Sequence, residues 1–308
     1  HPEVLRAVIR YVHRHGGNVT LADSPAGRFT PDSIQLVYQK TGLRALAQEE
    51  GCRLNENLGS VDSGLRAGSE PVPVLECVAQ ADLIIDCCKF KSHSYTVASG
   101  AVKNMFGVIP GLVKAQMHAR FPQRESFCRF LCQFCAHVKP QLCVMDAVEG
   151  MQGNGPSSGD RYDGQRLLAA LDPFALDYGA LTLLGIDPDQ TPIHREAVKL
   201  GLVDPEAIEL IAPEEAWESL IRHDFRLPET MKGLIQLIPS PLAALRRHFA
   251  PYPKPDAARC LGCGECVRDC PVQAITLADH KAVVDRRRCI RCYCCQEVCP
   301  AHVVQLKR

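Results

Sequence analysis

CLGCGECVRDCP (residues 260–271) and CIRCYCCQEVCP (residues 289–300) are one phrase written twice, C-x2-C-x2-C-x3-C-P. Eight of the chain's 17 cysteines stand in the two copies: Cys260, Cys263, Cys266 and Cys270, then Cys289, Cys292, Cys295 and Cys299. A cubane iron–sulfur cluster needs four thiolates at tetrahedral corners, and a short turn reaches only three. In a doubled phrase of this spacing the fourth comes by exchange, the last cysteine of each copy ligating the other cluster. The expected ligands are therefore Cys260, Cys263, Cys266 and Cys299 for one 4Fe–4S cluster, and Cys289, Cys292, Cys295 and Cys270 for a second. Zinc ribbons pair C-x2-C knuckles without a third and fourth cysteine at these offsets. Disulfide frameworks belong to small secreted domains, not to a chain of this length.

Residues 252–308 resemble a bacterial-type ferredoxin carrying two 4Fe–4S clusters. Cys294 departs from the pattern and reads as a packing thiol, since Cys292 and Cys295 already satisfy the spacing. Each phrase is followed by a β-rich run, VQAITLA and AHVVQLK, and HKAVVD between them can close a hairpin.

A length of 308 residues suits one large domain and a small one, expected as residues 1–215 and 252–308 with a proline-punctuated connecting arm at 216–251. Acidic and basic residues balance at 35 each, so nothing points to nucleic acid. No apolar run approaches the ~20 residues of a membrane span. Reduced thiols point to the cytoplasm. Residue 1 is His, not Met, so the native start is expected upstream.

Helical periodicity marks 2–15, 32–41, 124–137, 173–185 and IHREAVKLGL; NVTLADSP, ADLIIDCCKF, PQLCVMDAV and AIELIA read as strands. The βαβαβ order predicts an α/β fold with a doubly wound, mostly parallel sheet, followed by a small α+β ferredoxin-like domain. Chemistry is then expected at the carboxyl ends of the strands. Cys128, Cys132 and Cys135 have a C-x3-C-x2-C spacing, but they fall on one face of a predicted helix and read as core. Cys87 and Cys88 read as strand packing, and Cys52 and Cys77 carry no partner signal.

Three strand-end loops are rich in polar groups. KFKSHSYTVASGAVKNMFGVIPGLVKAQMH (89–118) gathers Lys91, His93, Lys103, Asn104, Lys114 and His118 among glycines, as an anion pocket would. MDAVEGMQGNGPSSGD (145–160) brings Asp146 and Glu149 beside Gly153 and Gly155 and matches no phosphate-loop or dinucleotide fingerprint. LADSPAG places Asp23 and Ser24 after a strand, where a helix cap explains them as well as catalysis does.

The first two loops, with DPFALD, resemble the uncharacterised family called domain of unknown function 362, over roughly residues 1–200. That resemblance implies a redox iron–sulfur protein and leaves its substrate open. Our expectation is a reductase whose partner is an external electron donor or acceptor protein. A small, anionic substrate would be bound by Lys91, Lys103, Asn104, Lys114, Gly153 and Gly155. His93 or His118 would deliver a proton, and Asp146 or Glu149 would orient it. Two rival expectations are an adaptor that docks a partner enzyme without chemistry of its own, and an enzyme whose clusters are structural.

Overall fold

The computed structural model describes residues 1–212, 217–231 and 250–307. Helix α1 (Pro2–Arg14) leads to β1 (Thr20–Leu21), α2 (Pro31–Lys40), α3 (Leu43–Glu50) and β2 (Arg53–Leu54); β1 and β2 pair in parallel. A hairpin of β3 (Ser60–Ala67) and β4 (Glu70–Leu75) follows, turned by Gly68 at φ +67, then α4 (Glu76–Ala79). Sequence reading missed this hairpin, because Pro71 and Pro73 interrupt it; prolines are tolerated on such an edge strand.

Next come β5 (Ile85–His93), β6 (Val97–Ser99), α5 (Ala101–Asn104), α6 (Val113–Arg120) and α7 (Arg124–Val138). β7 (Leu142–Gln152), β8 (Asp160–Ala170), α8 (Pro173–Leu183) and α9 (Pro192–Lys199) complete the large part. The main sheet has the order β6-β5-β7-β8. Only β5 and β7 run parallel in it; β6 and β8 pair antiparallel at its edges. The class is thus α/β, but the sheet is mixed, not doubly wound and mostly parallel. The physical reason is that the chain doubles back at both edges: at 94–96 after β5, and at 153–159 after β7. Much of the stretch read as a glycine loop, 145–152, is strand. AIELIA is not a strand: after a 3-10 turn at Pro205–Ala207 it pairs with no sheet, and Ile211 is 87% exposed.

β5 alternates, which positions the site. Asp86, Cys88, Phe90 and Ser92 are buried on one side, and Cys88 and Phe90 join Met145, Leu176 and Leu181 in the core beneath α8. Period-two geometry puts Lys89, Lys91 and His93 together on the other side. α7 buries Phe127, Leu131 and Phe134 in a second core, each apolar side chain contributing ~1.5–3 kcal/mol. Cys128, Cys132 and Cys135 lie in that core too. α8 starts where Asp172 accepts from the N–H groups of Phe174 and Ala175 at 2.7 and 2.8 Å, with Pro173 next to the cap.

Of the arm, 217–231 is described: it forms 3-10 turns at Trp217–Leu220 and Glu229–Met231 and is fastened to the large part. Arg222 N–H donates to Leu183 O, Gly153 N–H to Arg226 O, and Thr230 Oγ1 to Ser94 O. Residues 213–216 and 232–249 lie outside the described residues.

The C-terminal part pairs β9 (Tyr252–Pro255) with β12 (Val304–Lys307) and β10 (Ile275–Ala278) with β11 (Lys281–Val284), both antiparallel. The expected hairpin thus forms, with Asp279 and His280 both at positive φ, as a tight two-residue turn requires. Two short helices, α10 (Glu265–Arg268) and α11 (Cys294–Glu297), lie inside the cysteine phrases. The second phrase docks on the large part. Tyr293 is buried in the α7 core and donates to Pro251 O, and Ser157 Oγ donates to Gln296 O at 3.1 Å.

Candidate functional site

Two cavities open in the C-terminal part. One is lined by Cys260, Cys263, Cys266 and Cys299. The other is lined by Cys270, Cys289, Cys292 and Cys295, with Cys294 beside them. Cys270 and Cys299 each leave their own phrase to line the other's cavity. No cysteine is bridged. Among the described residues, no three His, Cys, Asp or Glu side chains close on one point as a single metal ion would demand. Four unbridged sulfurs around each of two cavities match in number the donor set that a cubane cluster needs.

Local backbone explains the convergence. Gly262, Gly264, Arg291 and Tyr293 take positive φ, turning successive cysteines inward. Backbone N–H groups reach sulfur: Ala274 to Cys270 Sγ at 3.1 Å and Arg291 to Cys289 Sγ at 3.4 Å. Amides of Ala282 and Gly262 draw the Cys260 thiol down toward its ionised form. A hydrogen bond from Cys294 does the same for Cys292 and holds Cys294 itself well up as a thiol. Burial, then the neighbouring Cys263, Cys299 and Cys260, push Cys266 up to about 11. That mutual repulsion is what a positively charged metal core relieves.

The lysine–histidine loop faces this domain. His93 sits at the end of β5, 1% exposed, in a tight turn where Val97 takes φ +74, a strained value for a β-branched residue. His93 Nδ1 accepts from the N–H groups of Tyr95 and Thr96 at 3.1 and 3.4 Å. In the neutral ring the proton therefore resides on Nε2. Nε2 lies 3.1 Å from Glu297 Oε1, off the N–H axis and with no well-aligned hydrogen bond. Burial, reinforced by Lys103, pushes His93 down to about 4, so the ring is neutral at ordinary pH. Burial alone would raise Glu297, but His93, Lys103 and His118 outweigh it and hold the carboxyl well below its usual range.

His118 is buried, stacked on Phe127 at 3.9 Å, with Nδ1 unpartnered among the described residues; burial pushes it down to about 3. Lys91 is largely buried, and burial and then Lys103 lower it. Lys103 lies 5.7 Å from the Phe106 ring. Neither the Lys91 nor the Lys103 side chain makes a hydrogen bond or ion pair among the described residues. Lys114 instead pins the loop at Ser24, donating to its carbonyl at 2.5 Å and its hydroxyl at 2.7 Å, and burial lowers it to about 7. Burial raises the neighbouring Asp23, with Lys114 opposing.

The other expected residues lie elsewhere. Asn104 donates to Asp86 Oδ1 at 2.5 Å. Asp146 pairs with Lys89 at 2.8 Å, and exposed Glu149 pairs with Arg161. The Gly155 amide contacts Ser92 Oγ and Gly153 O, and a side chain at Gly155 would strike Ser92 O. Both glycines therefore brace the strand end, their N–H groups already engaged. Sequence reading missed Glu297, hidden among the cysteines. Its one signal was an acid between two metal-ligand positions, and only the docking of Tyr293 shows what it meets.

The family described as Domain of unknown function (DUF362) matches residues 1–182. The chain belongs to this family. A 4Fe-4S dicluster domain matches residues 252–300, so the C-terminal part is of iron–sulfur type. The chain is 31% identical over 256 residues to the "Thylakoid-associated protein sll1697" of Synechocystis sp., covering 80% of this chain and 76% of that protein. No solved structure matches. No helix among the described residues is long and apolar enough to cross a membrane.

Proposed function

We propose that this DUF362 protein is an iron–sulfur oxidoreductase that passes electrons to a small anionic substrate held between its two parts. In this reading the chain divides at 1–215, 216–251 and 252–308. Cys260, Cys263, Cys266 and Cys299 hold one 4Fe–4S cluster, and Cys289, Cys292, Cys295 and Cys270 the other. Such clusters, when bound, supply electrons one at a time. The observation that carries the reading is the His93–Glu297 contact: the cationic loop converges on the residue midway between Cys295 and Cys299. A substrate there would lie next to the cysteine-held centres. Lys91 and Lys103 supply its positive charge. His93, held neutral, offers the Nε2–H as a hydrogen-bond donor more readily than as an acid. The cytoplasm is the compartment we assign, because the eight ligand thiols must stay reduced.

A second reading, an electron-transfer adaptor that docks a partner enzyme, draws on one observation. An open cleft of about 570 Å³ lies between α6 and the first cysteine phrase, lined by Leu112, Gln116, Asp269, Cys270, Ile275 and Arg288. A partner seated there would approach Cys270. Anaerobic reduction followed by a screen of small organic and inorganic acids separates the two. Reoxidation of the reduced protein by one of them, weakened by Lys103→Ala, supports the oxidoreductase. Reoxidation by protein partners alone supports the adaptor.

A further inference from the structure

An acid of the C-terminal part meets the cationic loop at His93. Lys91, Lys103 and Lys114 belong to this loop, and Lys91 shares the β5 face of His93, whose Nε2 lies 3.1 Å from Glu297 Oε1. Lys114 is engaged by Ser24. Lys91 and Lys103 remain, with His93 Nε2 and the buried, unpartnered His118 Nδ1 beside them. Glu297 is the acid that touches His93. Burying a carboxylate is costly unless cations and donors surround it, so the arrangement recognises a carboxylate in its own right. A phosphate site is commonly completed by a nest of free backbone N–H groups. The glycines that could form one, Gly153 and Gly155, have their N–H groups engaged by Arg226 O, Gly153 O and Ser92 Oγ. The Glu297 side chain is 22% exposed, which leaves it a way out toward solvent.

We propose that the carboxylate of Glu297 stands where the carboxylate of a small carboxylic-acid substrate binds, so that the C-terminal part plugs the site it serves. This rests on the oxidoreductase reading above. The substrate displaces Glu297, and apparent affinity is reduced by the fraction of molecules in which the plug is seated.

The test is equilibrium dialysis of radiolabelled acetate, succinate and inorganic phosphate against the full-length, anaerobically prepared protein, with iron content checked for every variant. Glu297→Gln keeps the volume and removes the competing charge; it is expected to bind acetate or succinate about tenfold more tightly than the parent. Glu297→Asp, which withdraws the charge by one methylene, is expected to tighten binding by about threefold and guards against a misfolded first variant. Lys103→Ala in the Glu297→Gln background should reverse the gain. Unchanged or weaker carboxylate binding in both Glu297 variants, with Lys103→Ala still weakening the parent, overturns the plug and leaves the oxidoreductase site standing. Tighter phosphate without tighter carboxylate overturns the substrate class. No binding of any probe by any variant overturns the plug and the anion site together.

Discussion

Two runs of closely spaced cysteines in this molecule sit in different backbone contexts. On α7, Cys128, Cys132 and Cys135 share a helix face that packs into the core, and burial pushes their thiols up, Cys132 to about 12. Cys132 spends its proton on Ile193 O at 3.4 Å. In the C-terminal phrases the cysteines sit in left-handed turns around two cavities; backbone amides draw Cys260 down and Cys294 draws Cys292 down, while burial still raises Cys266, Cys289 and Cys295. Because the thiolate is the metal ligand, backbone context separates a packing cysteine from a ligating one where spacing alone is ambiguous.

Substitutions can break this contrast, and the largest effect is expected in the phrases. Cys263→Ala should lose about half the iron, read by metal analysis, because one four-sulfur set is broken. Unchanged iron would remove the ligand assignment. Cys132→Ala should keep all the iron and reduce unfolding stability by about 1–2 kcal/mol in denaturant titration, the cost of a small cavity; lost iron would make α7 a metal site.

Burial dominates elsewhere in the large part as well. It raises the Asp86 carboxyl to about 7 from 3.8, with Oδ2 unpartnered among the described residues. A raised carboxyl in the folded state means stability is greatest below pH 3.8 and falls as pH rises through about 7. Asp86→Asn should remove that slope, gaining on the parent by at most about 4 kcal/mol between these limits. Parallel pH–stability curves would place Asp86 in contact with water. Smaller still, Lys103→Ala should weaken binding of the acid found by the reoxidation screen about tenfold, ~1.4 kcal/mol, leaving the cluster spectrum alone. Cys294→Ala should shift one cluster's potential by tens of millivolts, roughly, while iron stays constant; no shift would leave Cys294 a packing residue only.

What could be read from the sequence follows the same division. The exchange of Cys270 and Cys299 between cavities was readable because ligand spacing is a local, covalent property. So were α1, α7 and α8, whose apolar periodicity is long. The edge hairpins β3–β4 and β7–β8 were not, since prolines and glycines masked pairings made by tertiary contact. Lys91 and His93 were legible as candidates, but their common face follows from the alternation of β5, which the apolar residues of ADLIIDCCKF do not display. Glu297 lay beyond reach, because its role depends on where Tyr293 anchors one part of the molecule on the other.

Iron and acid-labile sulfide analysis of the anaerobically purified protein, with electron paramagnetic resonance after reduction, tests the central claim most directly. The account predicts about eight iron and eight sulfide per chain, falling to about four of each in both Cys270→Ala and Cys299→Ala, with a different signal surviving in each. Zinc, about four iron in the parent, or the same surviving signal in both variants would contradict it.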